Sequence, residues 1–87
     1  MKVVNKRKEP FTIYVGRGSI FGNPFIIDRD GTRDEVIEKY EAYARATPYL
    51  LKAIKSLPED AILGCYCSPN KCHGDVIIKL WSEEHEK

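Results

Sequence analysis

The sequence predicts an α/β fold, a small single-domain mixed sheet of about three strands flanked by three helices in the order β-β-α-α-β-α. Three observations carry this expectation. Short runs of β-branched and aromatic residues occur at Val3-Val4 and Phe11-Thr12-Ile13-Tyr14-Val15, apolar residues recur at helical spacing from Val36 to Leu57, and the last third reads as strand, turn and helix. A chain of 87 residues makes one domain, 1–87, which buries roughly 60–65% of the surface its unfolded form exposes. It has room for one core and one site.

The first two strands are separated by the polar stretch Asn5-Lys6-Arg7-Lys8-Glu9-Pro10. After Val15, the segment from Gly16 to Phe25 carries three glycines and a proline, which favours an irregular, tightly turned loop. Thr32 and Glu35 have the spacing of a capping box, in which the side chains satisfy orphan N–H groups at a helix start. Val36, Ile37, Tyr40, Tyr43 and Ala44 then form one apolar face through about Ala46. Thr47-Pro48 restarts the chain as an N-cap with proline at N1, Leu50, Leu51, Ile54 and Leu57 supply the next face, and Pro58 ends it.

Ala61-Ile62-Leu63-Gly64-Cys65-Tyr66-Cys67 is a short apolar run of the kind that makes a buried central strand. A final helix is expected from about Cys72 to Glu84, with Val76, Ile77, Leu80 and Trp81 facing inward. Thr12–Val15 and Ala61–Tyr66 should run parallel through a right-handed helical crossover. Ligands of open α/β sheets bind beyond the carboxyl ends of the strands, so the loops 16–25 and 67–71 are expected to meet at one edge.

Composition excludes several classes. Hydrophobic residues make up 43% and charged residues 31% of the chain, which is ordinary globular usage. No apolar run reaches the roughly 18 residues of a membrane span, and Met1-Lys2 leads into a strand pattern without the apolar core of a signal peptide. A cytoplasmic protein that makes no use of a membrane is expected. Fourteen basic and 13 acidic residues leave a net charge of +1, so the sum announces no partner, but Lys2, Lys6, Arg7, Lys8, Arg17, Arg29 and Arg33 crowd the first third. That third offers anion-binding groups or, more blandly, a solvated charged face.

Candidate chemistry lies between Gly64 and Asp75. Cys65 and Cys67 are two apart in a strand and share a face, while Cys72 and His73 follow the turn Ser68-Pro69-Asn70-Lys71 at the start of the last helix. A thiol there sees the positive end of the helix dipole, which makes Cys72, His73 and Asp75 the candidate catalytic set, with His73 as base or proton donor. The competing readings are a zinc site on Cys65, Cys67, Cys72 and His73, although Cys-x-Cys and adjacent Cys-His fit its usual spacing poorly, and plain packing for Cys65. Arg17, with Gly18 and Ser19 behind it, suggests an anion-binding turn. Asn23, Arg33 and Cys67 complete the candidate ligand-binding residues.

Tyr14-Val15-Gly16-Arg17-Gly18-Ser19, Gly22-Asn23-Pro24-Phe25, Asp30-Gly31-Thr32-Arg33, Cys65-Tyr66-Cys67-Ser68-Pro69 and Cys72-His73-Gly74-Asp75, taken together and in this order, resemble a small family of phages and prokaryotes, the domain of unknown function DUF4326. Tyr66 stands where tryptophan is expected. The resemblance implies that the Arg-Gly loop and the Cys-His-Gly-Asp turn belong together, and it names no reaction and no cofactor. The expectation for function is binding of, or action on, a nucleotide or other phosphate-bearing ligand, with nucleic acid among the possible partners. The alternatives are a zinc-stabilised binding module and a phage-type protein-interaction domain anchored by Tyr14, Phe21, Phe25 or Trp81.

Overall fold

The computed structural model describes residues 1–66 and 70–85. Its centre is the apolar run that follows Asp60, which forms strand β3 (Ile62–Cys65). Strands β1 (Lys2–Asn5) and β2 (Ile13–Tyr14) pair on either side of it, giving the order β1-β3-β2. Val3 and Ile13 both stand beside Leu63, and Val4 and Tyr14 both stand beside Gly64. Residues abreast in a sheet point to the same face and successive residues to opposite faces. One face therefore carries Val3, Ile13, Leu63 and Cys65, and the other carries Val4, Tyr14 and Gly64.

The strand and helix counts and the element order are those expected. The sheet, however, is parallel throughout rather than mixed. Residues 6–12 return from the carboxyl end of β1 to the amino end of β2, and Phe11 of this return lies against β3 so closely that a Cβ on Gly64 would stand 2.6 Å from its ring. A parallel connection usually takes a dozen or more residues. This shorter one suffices because β2 is only two residues long, while Thr12 N–H and Val15 N–H continue its ladder to Ile62 O and Gly64 O at 2.9 and 3.0 Å.

Three helices cover the first face. Helix α1 (Arg33–Arg45) opens with the expected capping box, Glu35 N–H donating to Thr32 Oγ1 and Thr32 N–H to Glu35 Oε1, an arrangement worth about 1 kcal/mol. Val36, Tyr40 and Ala44 are its buried stripe. In α2 (Pro48–Lys55) Pro48 takes N1 and Leu50 and Ile54 are buried, but the Thr47 hydroxyl donates back to Tyr43 O at 2.6 Å instead of capping the helix. Helix α3 (His73–His85) buries Val76, Ile77 and Leu80, and Trp81 packs at the core margin with Nε1–H donating to Leu57 O at 2.8 Å. Leu63, Cys65, Tyr40, Leu50, Ile54 and Ile77 are all within 1% of full burial. No described helix is long and apolar enough to cross a membrane.

The second face has no helix among the described residues. It is covered by Phe11 and Tyr14, with Tyr66 beyond the end of β3, and these rings stand at 6.5 Å centroid spacing from Phe11 to Tyr14 and from Tyr14 to Tyr66.

Candidate functional site

The loop leaving β2 is built from its own polar groups. Ser19 N–H and Oγ both bond to Gly16 O, at 3.2 and 2.7 Å, and Gly18 turns the chain with φ +96°, a conformation that other residues adopt only with strain. The Tyr14 hydroxyl donates to Arg17 O at 2.9 Å, and a Cβ on Gly16 would collide with that same tyrosine. The loop then runs to α1, where the buried Tyr40 donates its hydroxyl to Phe21 O at 2.9 Å. Asn23 donates from Nδ2 to Val36 O at 3.2 Å and accepts the Phe25 N–H at 2.9 Å. Both ends of its amide are thereby used to fix the loop.

The other wall begins at the start of α3. Cys72 occupies the N-cap position, and its Sγ accepts the Gly74 N–H at 3.3 Å while Asp75 Oδ2 accepts the Cys72 N–H at 3.3 Å. The sulfur thus caps the N2 N–H while the N3 carboxylate reaches back to the N-cap N–H, a reciprocal arrangement close to a capping box. Gly74 is required by packing, since a Cβ there would stand 2.8 Å from Val3 Cγ2. His73 is 7% exposed, donates from Nε2 to Val15 O, and sets its ring edge-on to Tyr40 at 5.0 Å. The Cys-His-Gly-Asp segment thus ties α3 to both outer strands. Cys65 Sγ and Cys72 Sγ, both buried, approach to 3.3 Å.

Between these walls lies a cavity of about 480 Å³, bordered by Gly16, Arg17, Asn23, Arg33, Cys65, Cys72 and His73 together with Phe25, Ile26, Ile27, Val36, Ile37, Tyr66 and Lys71. It sits beyond the carboxyl ends of β2 and β3, and its size is that of small-molecule sites. Among the described residues its lining holds three cations, Arg17, Arg33 and Lys71, and no carboxylate. Arg33 reaches across to Lys71 O with Nη1 at 3.0 Å. Lys71 has only a 3.8 Å contact to Asp34, with both side chains about three-quarters exposed, and such a pair is worth little. The Arg17 guanidinium has no side-chain partner among the described residues.

Burial pushes the His73 pKa down, against the smaller opposing effects of the Val15 carbonyl and the Asp75 carboxylate. The ring is therefore neutral, with its proton on Nε2 where the carbonyl requires it, and Nδ1 is left as an acceptor. No buried side-chain nitrogen or oxygen among the described residues lacks a partner, and within that set the bond to Val15 is the one hydrogen bond His73 makes. Nδ1 accordingly keeps solvent contact, in a residue that borders the cavity.

Of the residues singled out in the sequence, Arg17, Asn23, Arg33, Cys72 and His73 meet at this cavity, along with Cys65. Gly18 and Ser19 shape the turn behind it and do not line it. Asp75 is exposed and borders a separate depression with Asp34, Glu38 and Lys71. Cys67 lies outside the described residues, and among the described residues no group of three or more His, Cys, Asp and Glu side chains is placed to hold a metal ion. Sequence reasoning missed Lys71 and the apolar pair Ile26-Ile27, and offered Phe25 only as a partner anchor rather than as part of a cavity wall. A signal for the wall was present, because three consecutive apolar residues in a loop claimed by no strand or helix must cover something.

The fold and site together define a small parallel α/β domain with a cation-lined cavity at the carboxyl edge of its sheet. Residues 2–83 match the family described as a domain of unknown function, DUF4326, and the chain belongs to that family. It is also similar to an uncharacterised 12.4 kDa protein from the nrdA-td intergenic region of Enterobacteria phage T4, 34% identical over an 82-residue alignment that covers 91% of this chain and 75% of the relative. No solved structure matches the chain.

Proposed function

We propose that this domain binds a nucleotide or another phosphate-bearing ligand in the cavity between the Arg17 loop and the start of α3. The observation that supports this most is the convergence of Arg17, Arg33 and Lys71 on a described lining without a carboxylate. Like charges gathered at one cavity repel one another, and a multiply charged anion relieves that repulsion while using guanidinium donors in pairs. Phe25, Tyr66, Ile26 and Ile27 give the same cavity an apolar side that suits a flat ring.

Each group then has a role. Arg17, without a side-chain partner among the described residues, clamps the phosphate, and Arg33, already oriented by Lys71 O, supports it from the opposite wall. His73 Nδ1 offers a proton acceptor near the ligand, while Cys72 and Asp75 hold the helix that carries it. Calorimetric titration with a nucleoside monophosphate, and separately with inorganic phosphate, tests the reading. Binding should weaken by roughly 10- to 100-fold on replacing Arg17 and Arg33 by alanine, the reduction expected for charged hydrogen bonds. Equal binding to the native and doubly substituted proteins would overturn it.

A further inference from the structure

We infer that the phosphate-bearing ligand is single-stranded nucleic acid, with one nucleotide in the cavity and the strand continuing over Tyr66 across the helix-free face of the sheet. This rests on the proposed function and names its substrate class. Tyr66 borders the cavity and is itself 49% exposed. From Tyr66 the aromatic surface continues to Tyr14 and to Phe11, which is 36% exposed. Large apolar rings usually face the core, yet these stand in a row on the sheet face that no described helix covers.

The charges follow the same path. Lys6 Nζ lies 4.7 Å from the Tyr14 ring centre and 5.1 Å from that of Tyr66, and the Arg7 guanidinium lies 5.0 Å from Tyr66. Lys6, Arg7 and Lys8, which follow β1, have no carboxylate partner among the described residues, and neither do Arg17 and Arg33 at the cavity. Lys2, on the same sheet face as Val4, and Lys39 and Lys52 on α1 and α2 also lack one within that set. A sheet face on which the exposed Tyr66 and Phe11 flank the half-buried Tyr14, with such cations beside them, meets the two needs of a single strand, stacking platforms for bases and positive charge along the backbone. A duplex keeps its bases stacked internally and has no use for the rings. An anionic bilayer is flat, and it would leave the cavity unfilled.

Fluorescence anisotropy with a short labelled single strand, a nucleoside monophosphate as competitor, the same sequence as a duplex, and vesicles of anionic phospholipid separates these partners. The single strand should bind at least about tenfold tighter than the monophosphate and the duplex. Replacing Lys6 and Arg7 by alanine should cost the single strand about tenfold and lower its salt slope by roughly 0.7 for each phosphate no longer neutralised, while monophosphate binding holds. Tyr66→Ala should weaken the strand by roughly five- to a hundredfold, and Tyr66→Phe should restore it, because stacking needs only the ring. Thermal melts of these surface variants verify that they fold. Equal affinity for strand and monophosphate, or preference for duplex or vesicles, would overturn the inference and leave the cavity reading standing. Absence of monophosphate, phosphate and single-strand binding would overturn both.

Discussion

Two charged regions of this molecule use the same residue types to different ends. Across the helices, Arg45 pairs both of its terminal nitrogens with Glu83, at 2.8 and 3.0 Å, and also reaches Glu41, which receives Lys79 at 3.0 Å. These charges join α1 to α3 and are neutralised where they stand. At the carboxyl edge of the sheet, Arg17 has no side-chain partner among the described residues and Arg33 has a carbonyl. A cation balanced within the fold contributes to stability, whereas one left unbalanced beside a cavity is available to a ligand. Together with the cavity, this difference in charge pairing supports the proposed site without reference to the cysteines that dominate the sequence pattern.

The largest expected effect falls on the residue that holds the cavity edge in place. Tyr40 is fully buried, supports the Phe21 carbonyl and packs edge-on to His73. Tyr40→Ala should cost about 3–5 kcal/mol in urea unfolding, enough to unfold much of a domain whose whole stability is of order 5–15 kcal/mol. A second test concerns Cys72. If its sulfur serves as an N-cap, Cys72→Ser should keep the helix start, since serine is a favoured N-cap, while Cys72→Ala should lose about 0.5–2 kcal/mol in the same measurement. Failure of a stable Cys72→Ser protein to bind ligand would instead assign the thiol to the ligand.

Acid provides a third. Burial holds His73 below its ordinary pKa, so the unfolded chain takes up this proton first as the pH falls through about 6.5. Stability should then decline from about pH 6.5 downward and level off below the folded-state value. Glu35 and Glu41, lowered chiefly by the Thr32 N–H and the Lys79 ammonium respectively, lose their contribution only below about pH 4.3, so the His73 decline sets in first. Unfolding curves across this range should show the upper decline in the native protein and not in His73→Gln. The smallest effect belongs to the helical network: Arg45→Ala should lower the thermal unfolding temperature only slightly, because exposed ion pairs are screened by solvent, and leave ligand affinity unchanged.

Much of the fold was legible in the residues. The Thr32–Glu35 capping box, the stripe Val36-Tyr40-Ala44, Pro48 at a helix start and the apolar run at Ile62–Cys65 are local signals, and local signals survive folding. The parallel pairing of β2 with β3 was legible from the helical crossover between them; that β1 runs parallel too was not, because it depends on Phe11 crossing β3 at Gly64, two residues far apart in sequence. The site was legible in its location and less so in its parts. Arg17, Arg33 and His73 meet at the cavity as the strand ends implied. Gly18, Ser19 and Asp75 were marked by their chemistry, but the structure uses them to shape a turn and cap a helix, tasks that call for the same polar groups. Lys71 gave no signal until α1 placed Arg33 beside it.

The central claim, that the cations of the sheet edge form a phosphate site, is tested most directly by amide chemical-shift mapping during titration with a nucleoside monophosphate. The account expects saturable shifts at Gly16, Arg17, Asn23, Phe25, Arg33, Lys71 and His73, with α2 unmoved and the shifts abolished in the Arg17→Ala, Arg33→Ala protein. Shifts scattered over the helices, or a response that survives the removal of both arginines, would contradict it.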